Sequence, residues 1–513
     1  MRPLFLLAAL LLFPARALAT GGALRYGGDA EGGAPYTFYD PKDPGRLVGF
    51  EVDIADELGK RLGLKPEFQQ NAWESLIPAL VRGDSDIVIN GIEVTPEHAA
   101  EVAFTRPYYV FQQQLTVRAD ELKIKSFSDL SGRRVGTLLG SLAQDMLGGV
   151  SGVQVVTYPG QMEPYEDLAT GRIDAVLLDL PIAAYYAHPN PRLKDAGPPV
   201  GEGLYAIAIR KEDAALFAKV DGALGAMIAD GTLHDILVRW NLWTSSQALL
   251  AEGRSLTEKF SKVSAIEMES AIPGSNPSAA EESASPRGRE KNAPAAPERP
   301  DSWWRYVPAL LAGAGVTFGI SVVSMVLAIG LGLLIALCRL YGGNLLSRFA
   351  IAYIEIVRGT PLLIQLLLLY YGLPNLGVRL PALVAAVVGL GFNYAAAEAE
   401  IYRAGLLAIP RGQTDAALSL GMTRGQALRY VLLPQALRTV LPPVTNDFIA
   451  MLKDSSLVSV ITVVELTKAY SIHAASTYSY LELGLLTAGL YLAISLPLAR
   501  LSRFLEAKVH FAY

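Results

Sequence analysis

From Val307 to Cys338 the chain carries no charged residue. At 1.5 Å of rise per residue, a helix over this run is longer than the ~30 Å of hydrocarbon in a bilayer. A membrane span is therefore predicted here. Further apolar segments fall at about 349–373, 380–400, 437–465 and 481–499, the fourth interrupted by Lys453-Asp454. Together they predict an all-α transmembrane domain of about five helices. The average composition, 51% hydrophobic and 18% charged, hides a sharp division, because residues 21–250 carry charges throughout. At 513 residues the chain is long enough for at least two domains.

The N-terminus orients the chain. Arg2, the apolar core Leu4 to Phe13 and the small residues Ala17-Leu18-Ala19 form a signal-peptide pattern, with cleavage expected after Ala19. The domain that follows is then exported, and the first span enters from outside. Arg339 and Arg348, the arginines at 403, 411, 424, 429 and 438, and Arg500, Arg503 and Lys508 all fall on the cytoplasmic side. The outer loops near 374–380 and 466–480 hold only Arg379 and Lys468. That asymmetry follows the positive-inside rule.

Several function classes drop out. A net charge of −5 gives no sign of nucleic-acid binding, and the single cysteine, Cys338, allows no disulfide framework within one chain. The five histidines show no metal-ligand spacing. No nucleophile–base pattern stands out, so a catalytic role is not expected.

Residues 22–245 alternate strand-like and helix-like runs. LRYGG (24–28), LVGFEV (47–52), SDIVING (85–91), QLTVR (114–118), RRVGTLLG (133–140), GRIDAVLLD (171–179) and GLYAIAIRK (203–211) predict strands. DIADELGKRLG (53–63) and ESLIPALVRG (74–83) have apolar residues at helical spacing. The alternation predicts an α/β fold with mostly parallel pairing. The pattern restarts near residue 120, which implies two α/β units with a cleft between them.

The motifs GFEVDIADELGKRLG, WESLIPALVRGDSDIVINGIEVTPEH and VAFTRPYY occur in that order. They resemble the periplasmic binding proteins for polar amino acids, a two-lobed clamp. The resemblance implies one lobe over 22–112 plus 205–245, another over 113–204, and hinges near Gln112–Arg118 and Glu202–Ile207. It also implies a substrate site. Asp179 matches the carboxylate that binds a ligand's α-amino group, Asp29 an Asp of the first strand-turn, and Trp73 a stacking aromatic. Asn90, Gly91 and the turn Gly140-Ser141 match the carboxylate cradle. Two positions depart from the family. His98 stands where the motif T-P-E-R has Arg, and Glu93 where a hydroxyl residue is usual. Either His98 or Arg106 receives the ligand carboxylate and Glu93 points away, or Asp29, Glu93 and Asp179 make an acidic cleft for a cationic solute.

Residues 275–300 contain no Leu, Ile, Val or aromatic side chain and are expected to be disordered. With their flanks they form a predicted linker over 251–303, with a reach of roughly 35–40 Å. That reach would hold the binding domain near the membrane domain at an effective concentration on the order of millimolar. The predicted organisation is therefore signal peptide 1–19, solute-binding domain 20–250, linker 251–303 and permease domain 304–513.

The stretch DAALSLGMTRGQALRYVLLP (415–434) interrupts the apolar spans on the cytoplasmic side. Thr414 is a predicted N-cap, Asp415 a favourable first-turn carboxylate, and Gly421 a left-handed stop. Thr423 and Gln426 form a predicted capping box, and Pro434 is expected to reset the chain. The spacing Asp415-Ala416-Ala417, then Gly421, resembles the ATPase-docking loop of ABC importer permeases, with Asp for the usual Glu. RGTPLLIQLLLLYYGLP (358–374) and NDFIAMLKDSSLVSVITVVEL (446–466) are similar to the glutamine/histidine/arginine-type permeases for polar amino acids. The resemblance implies a docking loop over 403–436, a bacterial inner-membrane location, a homodimer through the membrane domain, and two copies of an ABC ATPase. No G-x-x-x-x-G-K-[ST] loop occurs, so ATP and Mg are expected on that separate ATPase and no cofactor on this chain. The resemblance thus implies ATP-driven import, with a ligand-gated channel or a solute sensor on the same clamp as alternatives. Of the charged residues at membrane depth, the pairs Glu355/Arg358 and Glu400/Arg403 have helical i,i+3 spacing and are expected to be structural.

Overall fold

The computed structural model describes residues 22–158, 160–262, 302–477 and 479–510. The predicted signal peptide and residues 275–300 of the linker lie outside them. The described residues fall in two compact units, one holding 22–38 and 47–262, the other 39–46 and 302–510.

The first unit is built on a nine-stranded sheet, counted among the described residues. At one end Ala23–Gly28 lies between Lys65–Gln70 and Ile87–Val88, parallel to both. At the other Arg134–Leu138 lies between Gln154–Tyr158 and Ala175–Asp179, again parallel. Two strands join these halves. Ala103–Arg118 pairs antiparallel with Val200–Ile209 on one side and with Ala175–Asp179 on the other. The predicted hinge segments lie on these two crossing strands.

Local differences from the sequence reading have physical causes. Only Leu47 and Val48 of LVGFEV are extended; Phe50 opens the helix Phe50–Leu62. The chain turns at Gly49, where φ is +147° and a Cβ would meet Tyr36 O at 1.8 Å. Past residue 250 the chain does not yet become linker, because Arg254–Phe260 is a helix burying Leu256 and Phe260. These two sit at i,i+4 on one face, enough to seat one short helix on the clamp.

The second unit is helical. Among the described residues three helices are long and apolar enough to cross a membrane: Trp303–Tyr341, Ala382–Leu407 and Tyr480–Phe504. A fourth span forms if Gly343–Gly359 and Leu362–Gly372, bent by 104° at their junction, count as one. Pro361 causes the break, since it has no N–H to continue the first helix and forces extended backbone before it. The predicted span over 437–465 is the helix Leu433–Asp454 followed by a 3-10 segment, Ser455–Ile461. With Arg438, Asp447, Lys453 and Asp454 it falls short of the apolar length of the others.

Candidate solute cleft and ATPase-coupling loop

In the first unit, a cavity opens where the two halves of the sheet meet. Tyr36, Trp73, Asn90, Gly91 and Glu93 line it from one side, and Leu138, Ser141 and Asp179 from the other. Most of the predicted substrate residues are thus brought together. Asp179 ends its strand, and Ser141 caps the helix Leu142–Gly148, its hydroxyl accepting from Gln144 N. Ser141 donates its own proton to Leu138 O, 2.9 Å away.

Asp29 and His98 are placed elsewhere. The Asp29 carboxylate accepts from the backbone of Glu31 and Trp73 and from Gln70 Nε2 at 2.7–3.0 Å. It ties its own loop to the segment that carries Trp73 and does not line the cavity, because these donors hold it there. His98 sits in the helix Pro96–Glu101 capped by Thr95, and its Nδ1 lies 3.0 Å from Glu93 O. The short helix turns the ring back on its own loop and away from the cavity. Arg106 is committed too, pairing with Asp221 at 2.8 Å. No Lys, Arg or His is among the cavity-lining residues.

The acids are held in a low-dielectric setting. Tyr205 donates its hydroxyl to Asp179, and Gln113 Nε2 donates to the other carboxylate oxygen at 2.5 Å. The Tyr36 and Tyr205 hydroxyls are 2.9 Å apart. Burial nevertheless dominates and pushes the Asp179 carboxyl up to about 6, against these hydrogen bonds. Burial, then the Asp179 charge, raises Glu93 well above its ordinary range. Glu93 Oε2 accepts the backbone N–H of Leu142 from the opposite lobe at 2.9 Å.

Behind the cavity wall Glu51 is fully buried. It accepts from Gly91 N at 2.7 Å and from the Tyr108 hydroxyl at 2.5 Å, and burial raises it to about 7. Tyr36, Tyr205, Gln113 and Glu51 escaped the sequence reading. The tyrosines and Gln113 look like ordinary strand and loop residues. Glu51 does leave a signal, a carboxylate on the helix face that also buries Phe50, Ile54 and Leu58.

A raised carboxyl has a testable sign. Without ligand, the folded clamp binds more protons than the unfolded chain between about pH 4 and 6 at Asp179, and up to about 7 at Glu51. Its stability is therefore full at low pH and falls as pH rises through that window. Thermal unfolding of the purified chain in detergent, followed by tryptophan fluorescence, should shift down between pH 5 and 7.5. A rise in Tm would contradict the buried, unpaired state of these acids.

In the second unit the predicted coupling loop is two helices, but its caps differ. The first helix, Arg411–Ser419, starts from Pro410, so Thr414 lies inside it and Asp415 is past the first turn. Pro410 fixes the extended entry and precedes the earliest residue that can turn helical. Gly421 does end the helix, at φ +79°, with Gly421 N donating to Leu418 O and Met422 N to Ala417 O. These two bonds make a Schellman stop. Thr423 and Gln426 form the capping box, with both bonds present. Pro434 does not reset the chain. A π-helical turn, Leu428–Leu432, leads into the helix that starts at Leu433, and its wider turn accommodates the missing N–H. Of the alanine pair only Ala417 is buried; Asp415, Ala416 and Gly421 are exposed. Leu418, Leu420 and Tyr430 are exposed on the same segment at 38%, 79% and 64%. Substituting Thr423 by Ala should cost the second helix about 1 kcal/mol and speed amide exchange over 424–432 about fivefold.

Among the charged residues at membrane depth, Arg403 pairs with Glu400 at 2.9 Å, as its spacing predicts. Glu355 and Arg358 are both exposed and form no ion pair among the described residues, which corrects that expectation. Their helix, Gly343–Gly359, reaches its end at Arg358 and turns there. Glu465 accepts from the backbone of Thr467 and Lys468 at 2.9 and 2.8 Å, capping the helix Leu466–Thr477.

The comparisons divide at the same boundary. Residues 24–242 match the bacterial extracellular solute-binding proteins, family 3, and residues 328–511 the binding-protein-dependent transport system inner membrane component. The glutamine transport system permease protein of Escherichia coli (strain K12) is 38% identical over 208 residues, 40% of this chain and 95% of that protein. The arginine transport system permease protein of Bacillus subtilis (strain 168) is 36% identical over 204 residues, 40% of this chain and 93% of that protein. ABC transporter arginine-binding protein 1 of E. coli (strain K12) is 35% identical over 200 residues, 38% of this chain and 82% of that protein. Among solved structures, an ancestral arginine-binding protein bound to arginine is 37% identical, covering 43% of this chain and 98% of that one, with a TM-score of 0.40. The chain is a multi-span inner-membrane permease with an extracytoplasmic binding domain, a non-catalytic subunit whose ATPase is a separate protein. It belongs to the binding-protein-dependent transport system inner membrane components, in the branch of the polar amino-acid ABC importers, with a family 3 solute-binding domain fused ahead of the permease.

Proposed function

We propose that this importer takes up a cationic solute, a basic amino acid or a related amine. Its cleft captures the solute through Asp179 and Glu93, with Trp73, Tyr36 and Tyr205 as aromatic walls. The observation that carries the reading is the charge of the lining, which holds two buried carboxylates and no cation. A cation entering the cavity would let both acids ionise, and its attraction in a low dielectric is larger than in water. The arginine-related names of two relatives, one for each half of the chain, support the same direction.

The assembly follows from the parts. One permease domain per chain is half of a two-fold pathway, so the simplest importer is a homodimer in the bilayer with two ATPase subunits. The loop around Asp415, Ala416, Ala417 and Gly421 docks on each ATPase, and its exposed Leu418, Leu420 and Tyr430 supply the apolar contact. ATP and Mg belong to the partner, and nucleic acid has no role. Ligand selects the closed clamp, which engages the permease and biases it between its inward-open and outward-open states.

The full chain, purified in detergent, should bind lysine-, arginine- or ornithine-like cations at micromolar concentration in calorimetry, and glutamate or aspartate at least a hundredfold more weakly. Tight binding of the acidic amino acids would overturn the cationic reading.

A further inference from the structure

We infer that the cleft is built for an amine that lacks an α-carboxylate, and that the Glu93 side chain takes the place such a carboxylate would occupy. This rests on the cationic reading and narrows it. A ligand carboxylate needs N–H or O–H donors or a cation, whereas an ammonium needs acceptors. The balance in this cavity is on the side of acceptors.

Several donors around the cavity are committed within the protein. Gly91 N gives its hydrogen to Glu51 at 2.7 Å, and Leu142 N gives its hydrogen to Glu93 at 2.9 Å. Trp73 Nε1 donates to Asn90 O at 3.2 Å, and the Ser141 hydroxyl to Leu138 O at 2.9 Å. The Tyr205 hydroxyl goes to Asp179. The cations that could have answered a carboxylate are turned elsewhere, Arg106 to Asp221 and His98 toward Glu93 O.

The acceptors are in surplus. Gln113 spends its Nε2 on Asp179, and its Oε1, on a fully buried side chain, meets no donor among the described residues. An orphaned buried acceptor costs roughly 1–3 kcal/mol, and this one stands directly behind Asp179, whose carboxylate lines the cavity. An α-amino acid would bring its own carboxylate toward Glu93 with no cation to separate the two charges. The amine formed by removing that carboxylate meets no such repulsion, and its aliphatic stem fits the aromatic walls.

The experiment is a set of matched pairs, the amino acid against its decarboxylated amine: lysine with cadaverine, ornithine with putrescine, and arginine with agmatine. Binding to the purified full chain is measured by calorimetry at pH 7.5, with glutamine and glutamate as further probes. In at least one pair the amine should bind ten times more tightly than the amino acid. Glu93→Ser should then narrow or reverse that ratio by a factor of ten or more, because it frees Leu142 N and removes the opposing charge. A thermal melt of the variant establishes that it is folded. If the amino acid is the tighter ligand in every pair, this inference fails while the cationic reading stands. If glutamine or glutamate binds and no cation does, both fail. An amine preference that Glu93→Ser, folded, leaves unchanged would also overturn the role given to Glu93.

Discussion

Replacing Asp179 by Asn should weaken cation binding by about 10²–10⁴-fold, because truncating one partner of a buried charge pair costs roughly 3–5 kcal/mol. The substitution keeps the shape of the side chain but leaves one acceptor oxygen where Asp179 offers two, so one of the bonds from Tyr205 and Gln113 must rearrange when the charge is removed. The unliganded protein should respond in the opposite sense. Asp179 is pushed up to about 6 by burial, so at pH 7.5 it is ionised at a cost that the unfolded chain does not bear, and the Asn variant should melt at a higher temperature. Weaker binding together with a higher unliganded Tm separates an electrostatic ligand contact from damage to the fold. Affinity within threefold of the parent would remove Asp179 from the site.

The second large effect concerns coupling. Gly421→Pro should abolish ATP-driven uptake in proteoliposomes that hold this chain and its ATPase, while solute binding stays at the parental affinity. Gly421 sits at φ +79°, which proline cannot adopt, and its N–H donates to Leu418 O, which proline lacks. The loop would therefore lose its Schellman stop and the fixed angle between its two helices. Asp415→Arg leaves that backbone alone and reverses an exposed charge on the first helix. It should give the same uncoupled behaviour, with ATP hydrolysis no longer stimulated by ligand. Uptake at the parental rate in both variants would show that the loop does not carry the coupling.

Much of the fold is legible in the sequence because two strong signals survive without tertiary context. Uncharged runs such as Val307–Cys338 have few alternatives to a span. Alternating strand and helix patterns locate Ala23–Gly28, Arg134–Leu138, Ala175–Asp179 and Val200–Ile209. The strand Lys65–Gln70, with sequence KPEFQQ, was missed because it sits at the sheet edge and carries polar residues and a proline. The helix start at Phe50 was missed because a half-buried strand and an amphipathic helix look alike over six residues; only the contact of Gly49 with Tyr36 O decides between them.

The site is less legible for a different reason. Asp179, Trp73, Asn90, Gly91, Glu93 and Ser141 can be placed by motif and do converge. Which atom each one faces is set by partners far away in sequence. Glu51 and Gly91 are forty residues apart, and Glu93 and Leu142 forty-nine. Asp29 and His98 carry the right chemistry at motif positions, yet other partners consume them, Gln70 and Trp73 for Asp29 and its own loop for His98. In the coupling loop Gly421 and the Thr423 capping box could be read locally because their hydrogen bonds span three to five residues. The entry at Pro410 could not, since Thr414 offers an equally good cap in sequence.

The strand Ala103–Arg118 belongs to both halves of the clamp, and Val200–Ile209 runs beside it. Opening therefore needs no ladder to break. The pair can twist as a flexible ribbon, so the opening barrier is set by the few bonds that cross the mouth, such as Leu142 to Glu93 and the Tyr186 hydroxyl to Gly32 O. Residence time of the solute would then be governed by its own contacts at Asp179 rather than by the machinery of closure, and capture would run at nearly the rate of encounter. For a receptor joined covalently to its pore, speed of loading and release matters more than the long retention a freely diffusing carrier needs.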